Sequence, residues 1–177
     1  MQIVLPPQPD PSTALFAIEL TFPVDEFQMD WKQCSLLANY IAEYTAYQFD
    51  QQERAENIVS TIANELLEAI VYLAPAQSDL IIHLEQREDG LQLKASHLVQ
   101  ENLIPPYVEF LEELKPGVTD ETYLNLLTTS ESTEHYFNQL GLMMISHDFG
   151  AHIARMPTMQ PDRICTQLFI ANEEFQA

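Results

Sequence analysis

Positive charge is what this sequence has least of. Its 177 residues hold seven Lys or Arg against 27 Asp or Glu, for a formal net charge of −20. Nucleic-acid backbones and anionic membrane surfaces are held by clustered Lys and Arg, so no nucleic-acid and no membrane partner is expected. The same field opposes ATP unless backbone amides or a metal overcome it locally. Long apolar runs are missing as well. None approaches the roughly 18 residues of a membrane span. The opening MQIVLPPQPDPS lacks the basic start and apolar stretch of a signal peptide. Two cysteines, Cys34 and Cys165, are too few for a disulfide framework, so a reducing cytoplasm is the expected compartment. Glycine is scarce too: Gly90 is assigned to a hairpin turn and Gly117 to a helix end, which leaves Gly141 and Gly150.

What is present is a core. Hydrophobic residues make up 46% of the chain, enough for a single domain over 13–177. Residues 1–12, with four of the eleven prolines, read as an irregular, flexible arm. Ala14–Phe22 alternates like a strand, and Pro23-Val24-Asp25 breaks it. Helical spacing follows from about Asp30 to Phe49, then, after a polar joint, from about Arg54 to Leu73. In that second helix Ile58, Ile62, Leu66 and Ile70 form an apolar line fit to lie on a sheet. Asn64, Glu68 and Tyr72 form a polar line at the same spacing.

Asp79–Gln86 and Leu91–His97 make a hairpin about Asp89-Gly90. Pro105-Pro106 opens a short helix, and Asp120–Thr128 reads as another. Glu134–His147 is read as helical, capped by Ser132 or Thr133, and the strands Ala151–Met156 and Ile164–Ala171 end the chain. Strands and helices mix without strict alternation. The expected fold class is therefore α+β, a two-layer sandwich whose mixed, mostly antiparallel sheet carries helices on one face.

This order, with particular residues, resembles the histidine-kinase-like (GHKL) ATPases, and among them the anti-sigma-factor serine kinases of bacterial partner-switching systems. The resemblance runs from about Ala14 to the C-terminus. That family carries Glu-x-x-x-Asn-Ala-x-x-His on its second long helix, with Glu as base and Asn as the Mg²⁺ ligand. Asn64–Tyr72, NELLEAIVY, fits the frame at Ala69, but Asn64 stands for Glu, Glu68 for Asn and Tyr72 for His. A shifted frame puts Glu65 at the base position and Ala69 at the metal position. The family's Asp-x-Gly-x-Gly, whose Asp reads adenine, corresponds to Ser96–Asn102, SHLVQEN, with neither Asp nor Gly. Its Gly-Leu-Gly-Leu run corresponds to Gln139-Leu140-Gly141-Leu142, with Gln139 for the first glycine.

The resemblance thus implies a kept frame with emptied motifs. It points to a non-catalytic or weakly catalytic regulator that binds a protein partner, of the anti-sigma-antagonist (STAS-like) type, with a homodimer as a further expectation. Asn64, Glu68, Tyr72, His97, Gln139 and Gly141 would line the vestigial cleft, and no cofactor is expected. The alternative is an active serine/threonine kinase using ATP and Mg²⁺, with Glu65 or Glu68 as base or metal ligand. Set beside these, Asn64, Glu68 and Tyr72 read equally as the solvated side of a helix. His83 and His97 read as satisfied structural histidines, and His135 as exposed. His147 reads as a helix C-terminal residue rather than a metal ligand with Asp148 and His152. Cys34 reads as a structural thiol, and Glu109, Glu112 and Glu113 as a wet helix face.

Overall fold

The computed structural model describes residues 14–114, 118–129, 137–160 and 163–176. Five strands form one sheet: β1 (Phe16–Pro23), β2 (Asp79–Gln86), β3 (Gly90–Leu98), β4 (His152–Met156) and β5 (Arg163–Ala171). The order across the sheet is β1-β2-β3-β5-β4 and every pairing is antiparallel, within the expected mixed, mostly antiparallel class. Both hairpins are local, and β1 reaches β2 only after three helices, so no crossover demands a parallel pair.

Those helices are α1 (Val24–Met29), α2 (Lys32–Ala46) and α3 (Gln52–Leu73). Helices α4 (Ile104–Leu114), α5 (Asp120–Thr129) and α6 (Gln139–Asp148) follow β3. Helix α1 was read as a plain strand break. Six residues are too short to display a period, but Val24 and Phe27 are buried, and Gln28 Nε2 donates to the carbonyls of Val71 and Ala74 at 3.0 Å each. The expected arm at 1–12 and the expected caps Ser132 and Thr133 lie outside the described residues, as does His135. Helix α6 starts later than expected, and Asn138 caps it, its side chain accepting from Gly141 N at 3.0 Å.

The inner face of the sheet carries rows of apolar side chains, such as Ile18, Leu84, Leu93, Leu168 and Ile153. Against it lies the apolar line of α3: Ile58, Ile62, Leu66 and Ile70 are each at most 5% exposed. Ile41 of α2 joins Ala63, Leu66, Leu67, Ile82, Leu93 and Ala95 around the seam between helices and sheet. The other face carries the half-exposed or exposed row Glu19, His83, Lys94 and Gln167, with Glu85 and Gln92 buried beside it. That half-sandwich division is the two-layer α+β architecture. Among the described residues no helix is long and apolar enough to cross a membrane.

Gly90 has a different role from the one the turn suggested. Its φ is not in the left-handed region; among the described residues Gly150 is the glycine that adopts it, at 59°. A Cβ on Gly90 would run into the Ile170 carbonyl and the Phe169 ring on β5. The Gly90→Ala chain should therefore lose about 1–3 kcal/mol of stability, because β3 and β5 must part to admit a methyl against backbone. Urea denaturation checks this, and an unchanged midpoint would refute the close approach.

Candidate functional site

Helices α2 and α3 pack side by side, and a cavity of 440 Å³ opens between them. Its lining includes Trp31, Asn39, Asn64, Glu65 and Glu68. The spacing of four residues along α3 brings Asn64 and Glu68 together, and Asn64 Nδ2 donates to Glu68 Oε1 at 2.9 Å. Asn64 Oδ1 is buried with no hydrogen-bond partner among the described residues. Below them lies Cys34. Burial, reinforced by the negative charge of Glu68, pushes its thiol up to about 11. It is a structural thiol with no tendency to ionise near neutral pH. Cys165 is also free, so the two do not pair.

Glu65 also lines this cavity, and its carboxylate reaches toward α6. Asn138 Nδ2 donates to Glu65 Oε2 at 2.6 Å, while Asn138 Oδ1 caps the helix at Gly141. A Cβ on Gly141 would collide with both the Glu65 carboxylate and the Asn138 amide. The start of α6 is thus satisfied from within. Its capping side chain is held by a carboxylate from the neighbouring helix, which also suits the helix dipole. Sequence reasoning missed Asn138. The available signal was an Asn three residues before Gly141 where a helix was expected to be under way.

The remaining candidates separate. Tyr72 is exposed and its side chain is not part of the α2–α3 lining; its carbonyl accepts from Gln100 Nε2 at 3.1 Å. Eight residues along α3 carry Tyr72 about 12 Å past Asn64, so a shared line does not make a shared cavity. Gln139 opens α6 and lines a separate groove of 380 Å³ with residues of α4 and α5, among them Phe110 and Asn125.

His97 is in the core rather than in a cleft. Its ring is fully buried beneath α4, where Nδ1 donates to the Leu98 carbonyl at 3.0 Å. Nε2 has no partner among the described residues, so the histidine is not the satisfied one expected. Burial drives its pKa from 6.5 down to about 4; the Leu98 bond opposes this and the Arg163 charge assists it. Beside it Tyr107 is fully buried, and its hydroxyl pairs with Thr166 Oγ1 at 2.7 Å. The Tyr107 ring lies 5.9 Å from His97 and 5.2 Å edge-on from Phe137, which in turn meets Phe110 at 5.3 Å. The end of β3 is packed with aromatic rings, which sequence reasoning had not foreseen. Tyr107 lay one residue past the Pro-Pro that opens α4, a position given no role.

His147 binds Asp148 at 2.7 Å and Asp120 of α5 at 2.9 Å, and stacks on Tyr123 at 4.7 Å. It pins α5 to α6, and the hydrogen bonds to Asp148 and Asp120 hold its pKa above the ordinary value. His83 lies on the open sheet face between Glu19 at 3.8 Å and Glu85 at 3.7 Å. Among the described residues no group of three or more His, Cys, Asp or Glu is placed to hold a metal ion. A further cavity of 660 Å³ lies elsewhere again, between the first turns of α3 and Phe149. Arg54, on its wall, is committed to the Glu174 carbonyl at 3.0 and 3.1 Å.

No protein-family model matches the sequence, and no curated protein matches it significantly. The fold is similar to that of a chain in the crystal structure of the SiaB–SiaC complex from Pseudomonas aeruginosa. The TM-score is 0.59 over 90% of this chain and 91% of that chain, at 13% sequence identity. At that identity the likeness speaks to the fold alone.

Proposed function

We propose that the chain is a regulator that works by binding a protein partner, in the manner of bacterial partner switching, on a histidine-kinase-like frame without a competent nucleotide site. The partner would be a small domain of the anti-sigma-antagonist (STAS-like) type. One observation carries the reading: both places where the resemblance would put nucleotide are filled by the chain's own side chains. Glu65, through Asn138, occupies the start of α6, where the family's glycine run would meet phosphate. Tyr107 and Phe137 fill the space at the end of β3, where the family's Asp would read adenine. A carboxylate already seated at a helix start repels a second anion, and the net charge of −20 adds to that. The likeness to a chain of a two-protein complex supports a partner-binding role.

Isothermal titration with Mg-ATP is expected to give no heat of binding at micromolar nucleotide. A micromolar affinity would overturn the reading and favour the alternative, a serine/threonine kinase acting on such a partner. The observation on that side is that Glu65 and Glu68 share one groove with the hydroxyls of Ser35, Ser60 and Thr61. Under that alternative Glu65 or Glu68 would serve as base or Mg²⁺ ligand; in the structure each carboxylate accepts from an asparagine amide.

A further inference from the structure

We propose that the outer face of α2 docks a basic amphipathic helix of a partner protein. The proposal rests on the partner-binding reading above and names the chemistry of the partner. Leu36, Tyr40, Tyr44 and Tyr47 fall at i, i+4, i+8 and i+11 and share one side of α2. They are 61%, 55%, 48% and 69% exposed. Isolated exposed apolar residues need no explanation, but a continuous row of them does. The opposite side of α2, with Cys34, Ala38, Ile41 and Ala42, is fully used against α3 and the sheet.

The rings are held in place before any partner arrives. Tyr44 packs on Phe16 of β1 with centroids 5.2 Å apart, and Tyr40 stacks on Tyr44 at 6.5 Å. Pre-placed tyrosines lose little conformational freedom on binding, and they offer both apolar area and a hydroxyl. Beside Leu36 and Tyr40 a cavity of 350 Å³ opens over Phe22 and Phe27, with Glu26 in its lining. It would take one apolar side chain. From Leu36 to Tyr47 the row runs about 16 Å, three helical turns, so the length suits a helix laid along it.

Charge selects the occupant. From Ala14 to Asp50 the chain has Lys32 as its sole base, against Glu19, Asp25, Glu26, Asp30, Glu43 and Asp50. Glu43 stands on α2 between Tyr40 and Tyr47, and Glu26 borders the cavity. A second copy would bring the same carboxylates, and a charge of −20, against this rim. A helix with Leu or Met along one side and Lys or Arg on its flanks meets both demands.

The test uses the full chain and a labelled synthetic peptide of about five helical turns, Leu on one face and Lys on the flanks. Fluorescence anisotropy should show binding that weakens as salt rises. A peptide of the same composition with Leu spread around the helix should bind at least about tenfold more weakly. The Y40S/Y47S double variant, and separately Leu36→Lys, should lose about tenfold in affinity with unchanged circular dichroism and melting. Three results would overturn the proposal: equal binding of the two peptides, unchanged affinity of both variants, or no binding. Sedimentation that shows a wild-type dimer abolished by Y40S/Y47S would assign the face to a second copy instead. None of these readouts involves nucleotide. Their failure leaves the filled-site reading standing, and Mg-ATP affinity sinks that reading without touching the α2 face.

Discussion

Tyr107→Ala is expected to lower the unfolding free energy by about 3–5 kcal/mol, the range for truncating a buried aromatic to leave a cavity. Tyr107 is fully buried, touches the His97 and Phe137 rings, and donates or accepts at Thr166 Oγ1, itself fully buried. Truncation removes the ring and strands the threonine hydroxyl in an apolar space. Tyr107→Phe separates the two effects. It keeps the ring and should cost about 1–2 kcal/mol, the penalty of an unpaired buried hydroxyl. Urea denaturation of both variants checks this. If Tyr107→Ala proves as mild as Tyr107→Phe, the ring is not filling the end of β3, and the packed-pocket basis of the proposed function fails with it.

His97 should make stability depend on pH in a definite direction. Its folded pKa, about 4, lies below the ordinary 6.5 of the unfolded chain. Its contribution is complete above about pH 6.5 and is lost as pH falls toward 4, because over that window the unfolded chain takes a proton that the fold refuses. The loss attributable to this group is about 3 kcal/mol across the window. Many carboxylates titrate nearby in pH, so the informative quantity is the difference from His97→Asn, which keeps a donor for the Leu98 carbonyl and does not titrate. Its unfolding free energy should fall less steeply between pH 6.5 and 4.5 than that of the parent. Equal slopes would mean that His97 is solvated or paired in the fold.

Much of the fold was legible because its signals are local. The Asp89-Gly90 pair and two alternating runs located β2 and β3 to within a residue, and the four-residue line through Ile58 located α3. What escaped notice needed a partner distant in sequence. Nothing near Glu65 says that Asn138 will meet it, and nothing near Gly90 says that β5 will pass against it. Asn64 and Glu68 were placed together correctly because i, i+4 is a local rule. Tyr72 shares their line but stands outside the groove they line, because a line drawn on a helix does not say where the neighbouring helix ends. His97 was legible as a hairpin-strand residue but not as a core one left with an unpaired nitrogen, which depends on what α4 brings over it. The all-antiparallel pairing likewise follows from which strands meet, not from any one strand.

The position of β1 at the margin of the sheet bears on colloidal behaviour. A marginal strand leaves every second backbone amide and carbonyl open to a strand from another molecule, the first step in ordered aggregation. Here the exposed Glu19 sits at the middle of that margin, and Pro23, with no amide hydrogen, closes its end. Two such margins brought together antiparallel about their centres would set carboxylate against carboxylate. The strand that gives Phe16 to the aromatic row thus also carries the residues that keep identical molecules apart.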